Sequence, residues 1–203
     1  MIREAYAHAA WRFVDTVERV GADQWDRIAL GEWTVRDLVG HTHRALLTVE
    51  TYLGQPAAAV EVERSVDYFI RASAALADPA SVAARGREAG QALGADPAAA
   101  VREAAERVLA GVRGVADDAR LTTPVGGMRL IDYLPTRVFE LTVHTLDIAA
   151  AISVPVTLPE AAAALTLDLV ADLVASRPDK VAPLLLAATG RQALPSGFSV
   201  FSA

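Results

Sequence analysis

The 203-residue chain contains no cysteine. That excludes disulfides, thiolate metal ligands and a cysteine nucleophile of the protein's own, so any thiol chemistry must use a thiol from outside. Lysine is nearly missing as well: Lys180 stands alone against the arginines among 19 basic residues, a bias that together with abundant alanine suggests a GC-rich genome. Aromatics make up only 6% while hydrophobic residues reach 53%, so Ala, Val and Leu carry most of the apolar content. That composition suits closely packed helices, and the expected fold class is all-α. Net charge is −6 with both signs mixed along the chain, which leaves no basic stripe to neutralise phosphates and excludes nucleic acid as an expected partner. No apolar run approaches the ~20 residues needed to span a membrane. The N-terminus enters a helical pattern directly, without a basic segment, apolar run and cleavage site, so the expected location is cytoplasmic.

What is present centres on one stretch, Arg137-Val-Phe-Glu140-Leu-Thr-Val-His144-Thr-Leu-Asp147-Ile-Ala-Ala-Ala151. Read as a helix at about 100° per residue, it sets Glu140 and His144 a turn apart on one face, with Arg137 and Asp147 extending the stripe. Leu141 and Ile148 flank the stripe on one side, and Phe139, Val143 and Leu146 on the other. The opposite face holds only Val138, Thr142, Thr145 and Ala149. An ordinary amphipathic helix sets its charges opposite its large apolar residues. Here the charges run down the middle of the apolar arc, the pattern expected of a polar cavity inside a helical core.

The remaining chain reads as helices joined by short turns, without repeats or low-complexity linkers. A first helix covers about 3–20, with His8 as a surface or packing residue. Thr34 followed by Asp37 is a near capping box opening a second helix. On its wheel His41 shares the inward side with Leu38, Ala45 and Val49, while His43 lies opposite with Arg36 and Glu50, toward water. Residues 57–93 form one or two helices in which no chemistry stands out. Asp96-Pro97 opens a helix running to about 118. Thr122 to Leu130 form a turn or short hairpin around Gly126-Gly127, which lacks the spacing and lysine of a phosphate loop. Pro135 falls near the start of the central helix, where a missing N–H does least harm. Helices over 161–176 and 179–189 follow, and Phe198-Ser-Val-Phe201 is extended. The expected division is a metal-binding helical bundle over 1–177 and a short helix with an extended tail over 178–203. Dimerisation through the Ala/Leu-rich helix at 161–175 is open.

If the second and central helices are neighbours, His41, Glu140 and His144 form a two-histidine, one-carboxylate set suited to a divalent first-row metal with a position left for water or substrate. Asp147, one turn beyond His144, or Asp37, one turn before His41, would orient an imidazole. The bland alternative is a solvated stripe on a metal-free interaction module.

The same residues carry a resemblance. Trp33-Thr-Val-Arg-Asp-Leu-Val-Gly-His41 and Arg137-Val-Phe-Glu140-Leu-Thr-Val-His144-Thr-Leu-Asp147 resemble the two signature segments of the mycothiol-dependent maleylpyruvate isomerase family, within the DinB-like superfamily, and Gly190-Arg191-Gln-Ala-Leu-Pro195 resembles its C-terminal segment. The resemblance implies a four-helix DinB-type bundle whose fourth helix starts near Leu158, with a metal, usually zinc, held by His41, Glu140 and His144. It implies mycothiol as the external thiol and, with the GC bias, an actinobacterial source. A metal holds such a thiol as thiolate at neutral pH for attack on a small electrophile. In an isomerase, reversible addition to a conjugated double bond permits rotation; in an S-transferase the adduct leaves. Arg137 is placed to pair with an anionic substrate or a carboxylate of the cofactor, or with Asp147 or Asp132. The isomerase itself carries a further C-terminal α/β domain, whereas the residues after Leu158 here lead to the expectation of the bundle with a remnant or tail. The alternative in the same family is a non-catalytic metal-binding protein of stress response or regulation.

Overall fold

A computed structural model describes residues 1–75 and 78–201. In chain order the elements are α1 (Ile2–Val17), β1 (Ile28–Leu30), β2 (Trp33–Thr34), α2 (Val35–Leu53), α3 (Ser65–Ala75), α4 (Pro79–Ala92), α5 (Pro97–Arg113), β3 (Arg120–Thr123), β4 (Gly126–Arg129), α6 (Leu130–Ala151), α7 (Glu160–Ala175) and α8 (Pro178–Ala188). The protein is therefore mostly helical, with two antiparallel hairpins as its only strands among the described residues.

Local chemistry explains the helix starts. At α2 the capping box is complete: the Asp37 backbone N–H donates to Thr34 Oγ1, and the Thr34 backbone N–H donates to Asp37 Oδ2. Asp96 caps α5 by accepting from the Ala99 N–H, with Pro97 in the first turn. Asp78-Pro79 does the same for α4 through Ser81. The hairpin around Gly126-Gly127 pairs Thr123 with Gly126 and Leu121 with Met128. That hairpin delivers the chain into α6.

α6 begins at Leu130, one and a half turns before its expected start, and runs straight through Pro135. The proline leaves the Ile131 carbonyl without its usual helical donor. Burial of Leu130, Tyr133 and Leu134, none of them exposed, offsets that loss by packing the extra turn into the core. The small face of α6 is also the most deeply buried: Val138, Thr142, Thr145 and Ala149 are all at most 3% exposed. Short side chains there let α1 and α2 approach closely, whereas Leu146 on the opposite side is 41% exposed.

α1 touches α6 and α5, and α2 touches the same two, so these four helices close a ring around the main core of Tyr6, Phe13, Leu38, Leu46 and Leu141. The helix after Leu158, expected as the fourth member, packs instead against α1, α6 and α3 on the outside of that ring. The segment 198–201, expected to be extended like a strand, has no strand partner among the described residues, and Val200 and Phe201 form a bend.

α4 lies against α2 at unusually short range. A Cβ on Gly40 would sit 2.3 Å from the Gly90 backbone N, and one on Gly86 would sit 2.4 Å from the Trp33 ring. Only glycine lets these helices meet here. Gly40→Ala is therefore expected to destabilise the protein by about 1–3 kcal/mol or more through overpacking, despite alanine's better helix propensity. Gly111→Ala, in α5 with nothing within 4 Å of the new methyl, should instead stabilise by up to about 1 kcal/mol. Urea melts of both variants check the opposed signs.

Candidate metal centre

α2 and α6 are in direct contact, and that contact joins the two motifs. His41 Nε2 lies 3.7 Å and His144 Nε2 3.3 Å from the same Glu140 oxygen, Oε2. One donor atom from each residue falls within 4.8 Å of the others. The two imidazoles stand nearly perpendicular, 82° apart with centroids 5.1 Å from each other. A separation of 3.7 Å is too long for a hydrogen bond. It is close to the roughly 3.4 Å that separates two donors bound tetrahedrally to one ion at about 2.1 Å. The residues present thus suit a divalent cation in both chemistry and spacing.

The two imidazoles are held by different devices. His144 Nδ1 lies 3.0 Å from Asp147 Oδ2, a bond that turns Nε2 toward Glu140. The Trp33 ring stacks on His41 with centroids 4.6 Å apart, and Trp33 Nε1 donates to the Ala83 carbonyl of α4. Asp37, expected to orient His41, accepts instead from both Thr34 N and Thr34 Oγ1. Its carboxylate belongs to the helix cap.

The electrostatics follow from burial. Burial disfavours the Glu140 carboxylate, but His144, His41 and the Arg137 charge outweigh it and hold the group well below the usual carboxylate range. Burial would likewise lower His144, yet the carboxylates of Asp147 and Glu140 push it up to about 9. Arg137 is 8% exposed and has no carboxylate within salt-bridge range among the described residues. Asp132 pairs with Arg129 and Asp147 with His144, so neither neutralises it. Its guanidinium lies 4.9 Å from the Tyr133 ring centre and 5.3 Å from that of Tyr68, and Nε donates to Thr136 Oγ1. Burial opposes its charge, but Tyr133, Tyr68 and Glu140 raise its pKa above the ordinary value.

Beside Glu140 a cavity of about 200 Å³ is lined by His41, Arg44, Ala45, Tyr68, Phe69, Ala72 and Arg137. Arg44 was within reach of sequence reasoning, three residues after His41 on the same helix face. Tyr68 and Phe69 were not, because the docking of α3 leaves no periodic signal; Trp33 opens the first signature segment, but its spacing does not show that it packs on His41.

Two residues differ from their expected surroundings. His43 does not face water: α5 covers that side of α2, leaving Nε2 buried without a hydrogen-bond partner, and burial with the nearby Arg107 charge lowers its pKa to about 4. The charged stripe on α6 is not solvated either, since the side chains of Glu140 and His144 are 21% and 16% exposed. His8 is exposed, as expected.

Residues 6–149 match the family model described as mycothiol maleylpyruvate isomerase N-terminal domain. The chain belongs to this family. The match covers α1 through nearly all of α6 and contains the three convergent side chains, whereas Gly190 to Pro195 lies outside it. No curated protein and no solved structure gives a significant match. No helix among the described residues is long and apolar enough to cross a membrane.

A pH prediction follows for the metal-free protein. A His144 pKa raised from 6.5 to about 9 contributes stability that is fully present below about 6.5 and is lost as pH rises through about 9. The urea midpoint should fall over that window. Asp147→Asn should flatten the dependence and bring the imidazole's NMR titration down by about one to two pH units, since a charged hydrogen bond contributes about 1.5–3 kcal/mol.

Proposed function

We propose that the protein is a divalent-metal enzyme of the mycothiol-dependent type, an isomerase or S-transferase, with His41, Glu140 and His144 as the ligands and zinc as the metal. The observation that carries this reading is the convergence of three donors beside a cavity walled by two arginines. We also read the ring of α1, α2, α5 and α6 as the DinB-type four-helix bundle, since those helices contact one another and the family match ends with the last of them.

The reaction needs a thiol that the chain lacks, so the thiol arrives with mycothiol. A divalent cation at the triad stabilises a thiolate over a thiol near neutral pH. The chain's own residues supply the rest. Asp147 fixes the His144 ring so that Nε2 points toward Glu140 and the place where the three donors converge, and that nitrogen would give up its proton on binding a metal. Trp33 fixes His41 in the same way by packing. Arg137 and Arg44 offer fork-shaped donors to a carboxylate of the electrophile. Arg137 suits this role because its charge is already desolvated and, among the described residues, no carboxylate forms a salt bridge with it, so little reorganisation accompanies binding. Tyr68 and Phe69 form an apolar wall that keeps water from the reacting centre.

Elemental analysis of purified protein should find about one divalent metal per chain in wild type, with loss in His41→Ala together with loss of mycothiol binding by calorimetry. Proton release of about one per metal at pH 7.5 should accompany loading, because His144 starts protonated. Arg137→Gln should keep the metal and the thiol while raising KM for a carboxylate-bearing electrophile by about 10–100-fold, the value of a charged hydrogen bond. Metal binding without thiol affinity would instead support a non-catalytic metal-binding protein of stress response or regulation.

A further inference from the structure

The wall of the cavity opposite α2 comes from a single short helix. α3 supplies Tyr68, Phe69 and Ala72, and their distance from α6 decides how much room lies beside Glu140. The two ends of α3 are held differently. At its N-terminal end Ser65 Oγ donates to the Asp132 carbonyl of α6, and just upstream the Glu61 and Val62 N–H groups both donate to the Gly127 carbonyl. α7 also touches α3, and one turn further along, beside the Tyr68 contact with Arg137, Phe69 adds an attachment to α6. Its ring meets Phe139, the residue before Glu140, edge to face with centroids 5.2 Å apart.

A third ring completes that contact from far along the chain. Phe201 lies 5.6 Å from Phe69 and 5.6 Å from Phe139, so the three rings form a closed cluster. The segment that carries it is brought back across the protein by a turn at Gly197, whose φ of 73° favours glycine. It is steadied by Lys180 over the Phe198 ring at 5.6 Å and by Val200 packing against the core. Phe201 itself is 38% exposed, so its position is less constrained than that of the buried rings beneath it.

We infer that Phe201 is a specificity-determining residue of the cavity: seated against Phe69 and Phe139, it holds α3 toward α6 and limits the bulk of the group that can lie beside Glu140. The inference rests on the reading of that cavity as the substrate site. It acts through Phe69, so Phe201 is a positioning residue and touches no substrate. Removing its ring frees one edge of Phe69, lets the far end of α3 swing outward and admits larger groups, while the donors on α2 and α6 keep their places.

Two measurements on the full chain test it. In the metal-free protein, amide hydrogen exchange over residues 68–73 should speed up by about tenfold in Phe201→Ala, the loss of two aromatic ring contacts. Exchange in α2 and α6 should be unchanged, and Phe201→Leu should fall between. In the cobalt-substituted protein, visible absorption reports the affinities of imidazole and of the bulkier 4-phenylimidazole. Phe201→Ala should leave imidazole affinity within about twofold and improve 4-phenylimidazole affinity by about tenfold, on the same contact energy. Unchanged exchange in α3 would overturn the inference regardless of any metal. Faster exchange with an unaltered preference between the two probes would also overturn it, leaving Phe201 a structural clamp. Failure of wild type to take up cobalt would instead remove the reading of the triad, and the specificity role with it.

Discussion

Glu140 is a carboxylate set on the apolar arc of a helix, and keeping it charged there is the constraint on which the rest of the site depends. A buried charge without compensation costs several kcal/mol. Here compensation comes from three directions: His144 on the same helix, His41 across from α2, and Arg137 one turn earlier. Each of those must in turn be placed. Asp147 holds His144, Trp33 holds His41, and two tyrosine faces shelter Arg137. The packing of α4 on α2 serves the same end, because Gly40 lets the two helices close and Gly86 leaves room for the Trp33 ring, which lies against His41 at a tilt of 34°.

The arrangement leaves the site with more positive than negative partners. Arg137 and Arg44 both line the cavity, while Glu140 is the single acid among its walls. Such a cavity favours anions, and its field is strongest where water is least able to screen it. In the proposed reaction, an anionic electrophile would therefore be drawn toward the thiolate. This gives a physical reason for combining, in one cysteine-free protein, a candidate cation site and a pair of guanidiniums.

Much of the centre could be read from residue spacing alone. The inward direction of His41 came from its helical neighbours Leu38, Ala45 and Val49, and the pairing of Glu140 with His144 from their (i, i+4) separation, both local properties of one helix. The family resemblance in the same two segments agrees with the match over residues 6–149. What escaped depended on how helices meet. Asp37 was assigned to His41 because both share a wheel face, but a shorter path to Thr34 took it for the helix cap. His43 was placed in water because a wheel cannot show α5 covering it. Leu130 to Leu134 joined α6 because tertiary burial outweighed the proline that should have delayed the start. The walls from α3, and Phe201 behind them, are brought together by contacts more than 130 residues apart in sequence, which no periodic pattern records.

The central claim is that His41, Glu140 and His144 hold one ion that accepts an external thiol. X-ray absorption at the zinc edge of the loaded protein, with and without mycothiol, tests it most directly. The account predicts nitrogen and oxygen neighbours at about 2.0–2.2 Å, and a new sulfur neighbour at about 2.3 Å once mycothiol is added. A first shell that stays free of sulfur at saturating mycothiol would contradict it.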